Sequence, residues 1–146
     1  MLKLKRTEEI EYLRENNQIV SKTLAELGKM IQPGVTTLEL DKRAEEFIRD
    51  HGAVPGFLGY GGFPNSICTS VNDAVVHGIP SDYALKEGDI VSIDCGTIKN
   101  GFYGDSAYTF AVGQTEPQVQ KLMKATRESL FKGIESGLSE KTRYRL

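Results

Sequence analysis

Asp94 and Asp105 stand eleven residues apart in the segment IVSIDCGTIKNGFYGDSAYTF, among apolar, β-branched and glycine residues. A carboxylate is costly to bury without a partner, so the pair needs something to hold it. The run KNG, Lys99 to Gly101, has the composition of a hairpin turn joining the strands IVSIDCGTI and FYGDSAYTFAV. With that turn the two aspartates come near each other across the ladder, as like charges that repel. A divalent ion with hard oxygen ligands, or a pair of ions, turns this repulsion into a reason for the arrangement. The other arrangement open to two strand aspartates puts one in solvent and one at a turn cap, and spacing alone does not choose.

The elements that position these residues follow from periodicity and punctuation. Ile10, Leu13, Val20, Leu24, Leu27 and Ile31 recur at near-helical spacing and predict a long amphipathic helix capped by Thr7 and running to the QPGVTT break. A second helix starts near Thr37, carries Leu40, Ala44, Phe47 and Ile48 on one side, and ends at DHGAVPG. His51 falls at its C-terminus, where a cation suits the helix dipole. The stretch GFLGYGGFPNSICTSVNDAVVHGIP, bounded by Pro55 and Pro80, reads as short strands joined by tight turns. The hairpin follows, and then a helix from Glu116 to about Glu135 carrying Val119, Leu122, Met123, Leu130 and Ile134. Helix, helix, sheet, helix makes an α+β fold.

Composition limits the function classes. With 146 residues, 39% hydrophobic and 26% charged, the chain is long enough for one domain with a core. Its 18 basic and 20 acidic residues are interspersed, so no basic field attracts nucleic acid or anionic lipid. The opening MLKLKRTEEIEYLRENN turns charged at once, and no long apolar run follows. The expectation is a protein without signal peptide or membrane span, resident in the cytoplasm. Cys68 and Cys95 show neither CxxC nor Cys/His spacing and read as small, reduced, buried hydrophobes.

Three stretches together cover most of the chain: IQPGVTTLELD, PGFLGYGGFPNSICTSVNDAVVHGIP and LKEGDIVSIDCGTIKNGFYGDSAYTFAVG. From about Arg6 to Gly137 they resemble the first half of a type I methionine aminopeptidase, the family that removes the initiator methionine from nascent proteins. The resemblance implies a pita-bread fold and two divalent metal ions, with Asp94 chelating one ion and Asp105 bridging both. Hard carboxylate ligands admit manganese, iron(II), cobalt or zinc. His77, in VVHGIP, falls on the family's histidine that contacts substrate and donates a hydrogen bond as charge develops in the transition state; a histidine that only satisfies a turn carbonyl is the plainer alternative. Tyr60, Phe63 and Cys68 fall on positions lining the pocket for the methionine side chain, whose thioether packs well against aromatic edges. The alternative for the aromatic pair is a generic apolar core.

The family's remaining metal ligands, one histidine and two glutamates, come from a second half that this sequence does not contain. After Gly137 only LSEKTRYRL follows, and residues 138–146 read as a tail foreign to the family at the end of a truncated product. The expected consequences are weakened metal binding and an exposed apolar half-fold surface prone to association with a second copy. Two other readings stay open: a non-enzymatic peptide-binding module of the same fold, and a peptidase of Xaa-Pro or creatine-like specificity. Intact Asp94, Asp105 and His77 speak against the module.

Overall fold

The structure is a computed structural model in which residues 4–138 are described. Helix α1 spans Thr7–Gly28 and buries Asn16, Ile19, Val20, Thr23, Leu24 and Leu27 on one face. Two details differ from the expectation. Thr7 is the first helical residue rather than the cap; Glu9 reaches back instead, its Oε2 accepting from the Arg6 N–H at 2.7 Å. The helix also stops three residues short of Ile31, at Gly28, where a Cβ would stand 2.8 Å from the ring of Phe110. The missing side chain lets the sheet aromatic pack against the helix end. Helix α2, Thr37–Asp50, matches its expected start. A reciprocal box holds it: Thr36 Oγ1 accepts from the Glu39 N–H at 3.2 Å, and Glu39 Oε2 accepts from the Thr36 N–H at 2.8 Å. At its end His51 stacks on Phe47, with Nδ1 donating to the Phe47 carbonyl at 2.8 Å.

Four antiparallel strands form the sheet: β1 Val54–Pro55, β2 Ile67–Val71, β3 Ile90–Lys99 and β4 Phe102–Ala111. Strand β4 pairs with β3 over its full length, while β1 and β2 share the other edge end to end, opposite residues 97–98 and 91–95 respectively. The hairpin turn is tighter than KNG suggests. Lys99 already pairs with Phe102, leaving Asn100 and Gly101, at φ of 53° and 75°, as a two-residue turn whose left-handed backbone suits the twist of the strands. Alternation then decides what faces the helices: Val91, Ile93 and Cys95 of β3 join Ile67, Leu27, Leu40 and Ile48 in one core, and even-numbered β3 residues face away from it. Both cysteines are buried, as expected.

The glycine-rich middle is less strand-like than its composition implies. Only Val54–Pro55 and Ile67–Val71 pair; Tyr60–Gly62 makes a short 3-10 turn that is non-helical at Gly61, and Gly59, Gly61 and Gly62 all take positive φ, which a strand does not use. From Asn72 to Asp89 the chain is a loop, tied down by buried Asp89, which accepts from Asn72 Nδ2, the Tyr83 hydroxyl and the Lys86 N–H, each at 2.9 Å. Burial pushes the Asp89 carboxyl up, but the donors of Asn72, Lys86 and Tyr83 outweigh it and hold it below the usual carboxylate value. With the folded value below the unfolded one, its stabilisation is complete above the unfolded value and disappears as pH falls through the folded one. Acid titration of stability is therefore expected to lose part of its slope below about pH 4 in Asp89→Asn; an unchanged slope would remove Asp89 from the account.

The chain divides into two compact units, the second beginning at Thr115. Taken alone, that unit contains α3, Pro117–Leu138, opening on a proline that suits a first helical turn and running three residues past the expected end. Of the stretch 138–146, all but Leu138 lies outside the described residues. No helix among the described residues is long and apolar enough to cross a membrane.

Candidate metal centre

Register places the two aspartates on the face of the sheet turned away from the core. Asp94 lies opposite Cys68 of β2 on one side and Ala107 of β4 on the other, and Asp105 lies opposite Gly96. The carboxylates are thus diagonal neighbours, one pleat apart, rather than directly opposed. The residues directly facing them, Cys68, Ala107 and Gly96, are small, and the ring of Phe57 fills the space over Gly96.

Electrostatics tie the group together. Burial, followed by the charge of Asp105, pushes the Asp94 carboxyl above the ordinary value, while His77 and the Cys95 N–H pull it back. Asp94 Oδ1 is buried without a hydrogen-bond partner. The Cys68 thiol is pushed up to about 11, by burial first and then by Asp94, Asp105 and Asp41. Cys95, which faces the core, is pushed up to about 12, chiefly by burial. An orphaned acceptor oxygen beside a second carboxylate suits a cation, and two hard oxygen donors fit a divalent one. Among the described residues no three His, Cys, Asp or Glu side chains gather into a metal cluster. The two carboxylates are a partial donor set.

His77 is exposed and adopts φ of 58°, a left-handed backbone uncommon for a residue with a side chain. The next residue, Gly78, docks on the edge of β2, its carbonyl accepting from the Thr69 N–H at 2.8 Å and its N–H donating to Ser70 Oγ at 3.1 Å. Tyr60 and Phe63 sit on the 3-10 turn, closed by the Phe63 N–H on the Tyr60 carbonyl at 2.9 Å; Tyr60 is 82% exposed and Phe63 half-buried. Sequence reasoning missed Phe57. Its ring covers Gly96, where a Cβ would stand 2.5 Å from Cε1, so an aromatic wall rises beside the partner of Asp105. The available signal was a glycine inside a strand, which often marks the close approach of another group.

The sequence pattern of metallopeptidase family M24 matches residues 11–145. The chain belongs to that family. Family M24 enzymes rely on divalent metal, in keeping with the partial oxygen donor set. This M24 chain is 53% identical to a methionine aminopeptidase of Clostridium acetobutylicum over 94% of its own length and 56% of that protein's. It is 50% identical to methionine aminopeptidase 1 of Bacillus subtilis, over 92% of this chain and 54% of that one. Among solved structures it is similar to the methionine aminopeptidase of Rickettsia prowazekii, with TM-score 0.89, 39% identity, and coverage of 92% of this chain and 54% of the other. A Xaa-Pro dipeptidase from Bacillus anthracis is more distant, with TM-score 0.70, 26% identity, and coverage of 81% and 32%. The M24 chain thus spans about half the length of the curated relatives it matches. Its antiparallel sheet with flanking helices is the first half of the pita-bread fold.

Proposed function

We propose that this chain carries the first half of a methionine aminopeptidase site. Asp94 and Asp105 serve as its share of the ligands to two divalent ions, and His77, Tyr60, Phe63 and Cys68 as its share of the substrate pocket. The observation that carries the reading is the orphaned Asp94 Oδ1 beside Asp105 on a face bordered by small residues. When bound, divalent ions supply Lewis acidity toward a peptide carbonyl. The protein's own part is to hold two anionic oxygens in fixed relation on a rigid sheet, and to offer the His77 imidazole as a hydrogen-bond donor as charge develops on the substrate. The Cys68 thiol, buried and kept protonated near neutral pH, offers a soft, uncharged contact for a thioether. The substrate is the N-terminal methionine of nascent peptides, the compartment the cytoplasm, and the metal manganese, iron, cobalt or zinc. Exposed Val75, Val76 and Ile79 beside His77 support a surface that associates, with a second copy among its candidates.

The test joins residues 1–137 to the C-terminal segment of the Clostridium acetobutylicum relative and measures methionine release from Met-Ala-Ser with manganese or cobalt. Release is expected from that peptide and not from Ala-Pro, and Asp94→Asn is expected to reduce it to background. Preference for Ala-Pro, or full activity in Asp94→Asn, would overturn the reading.

A further inference from the structure

The Asn16–Asn17 step in the middle of α1 touches the site from behind. Asn16 is fully buried; its Nδ2 donates to the carbonyls of Phe102 and Lys99, and its Oδ1 accepts from Thr97 Oγ1 at 2.6 Å, so it grips both arms of the hairpin next to its turn. Gly104 presses on the same step: a Cβ there would stand 2.8 Å from the Asn16 carbonyl carbon and 3.0 Å from the Asn17 nitrogen. The next residue along β4 is Asp105. Its N–H points away from β3 and donates to Asn17 Oδ1 at 3.3 Å, while Asn17 Nδ2 donates to the Leu13 carbonyl at 2.8 Å. The second bond orients the amide, since only the nitrogen end can donate to Leu13, and this leaves the oxygen for Asp105.

We infer that Asn17 is a positioning residue for Asp105. Asn16 and Gly104 clamp the hairpin against α1, and Asn17 occupies the outward N–H of the ligand residue, fixing its peptide plane and so the direction in which its carboxylate leaves the strand. Groups outside the ligand set that orient a ligand commonly tune metal affinity. Without Asn17, the Asp105 N–H is left to solvent on an unpaired strand edge, and the carboxylate samples more directions at the same average position. The inference rests on the proposal that Asp94 and Asp105 bind divalent metal.

The experiment uses the 146-residue chain, isotopically labelled, and titrates Mn2+ while following paramagnetic broadening of the Asp94 and Asp105 amide signals, with amide exchange measured in parallel. Because Asn17 is exposed, Asn17→Ala is expected to fold with an unchanged urea midpoint. It is expected to speed exchange of the Asp105 amide by about fivefold or more and to require about five- to tenfold more Mn2+ for the same broadening. Faster exchange with unchanged Mn2+ dependence would overturn the positioning role, as would unchanged exchange. Wild-type chain that broadens no more at these residues than Asp94→Asn would instead sink the metal-binding proposal, and the positioning role with it.

Discussion

Gly78→Ala is expected to destabilise the chain by about 2–4 kcal/mol and to release the His77 loop from the sheet. An ideal Cβ at Gly78 would lie 2.2 Å from the Thr69 carbonyl oxygen, 2.8 Å from its carbon and 2.9 Å from Ser70 Cα, all backbone atoms of a paired strand. None of these can rotate aside, so the loop retreats by about the thickness of a methyl group and both of its anchors break. The Thr69 N–H and Ser70 Oγ, each on a buried residue, then lose their partners. Urea unfolding reads the loss of stability. Exchange of the Thr69 amide reads its location and is expected to rise far more than that of Ile93 in the central strand. A Gly78→Ala chain within about 0.5 kcal/mol of wild type, with Thr69 still protected, would show that the loop does not dock this closely. The consequence for the site is direct, because His77, at a left-handed φ of 58°, lies one peptide from this contact.

Asn16→Ala is expected to cost about 3 kcal/mol. The side chain is fully buried and completes hydrogen bonds to the Lys99 and Phe102 carbonyls and the Thr97 hydroxyl, groups more than eighty residues away in the chain. Alanine favours the helix by a few tenths of a kcal/mol, too little to offset three hydrogen bonds lost from a buried side chain. A double-mutant cycle with Thr97→Val isolates the shared part: once the hydroxyl is gone, removing Asn16 should cost about 1 kcal/mol less than in wild type. Strict additivity of the two changes would mean that the Asn16–Thr97 bond contributes nothing.

The helices, the hairpin and the strand positions of both aspartates were legible because each depends on near neighbours. Helical spacing of Leu40, Ala44 and Ile48, the Thr36–Glu39 box, and an Asn-Gly pair between two apolar runs act within a few residues and survive any rearrangement elsewhere. The errors fell where a distant contact overruled a local preference. The first helix stops at Gly28, short of Ile31, with Phe110 of β4 packed against that end, and from Asn72 to Pro80 the expected short strand gives way to a loop that Gly78 docks on β2. Resemblance to a family could assign residues to a site, but it could not tell diagonal carboxylates from opposed ones. That distinction rests on register: the two-residue turn pairs Asp94 with Ala107, whereas a three-residue turn over residues 99–101 would pair it with Ser106 and carry one aspartate to the other face.

The amino-acid order alone was enough to specify an α+β chain with two strand-borne aspartates, and its motifs were enough to point to metal-dependent peptide chemistry. The folded structure was needed to bring Cys68, Ala107 and Gly96 around those aspartates, to lay Phe57 over Gly96, and to set Asn17 behind Asp105. The contacts of Cys68, Phe57 and Asn17 join residues tens of positions apart, through packing of whole faces and single hydrogen bonds across them. Periodicity records which face of an element is buried, but not which residue of another element it meets.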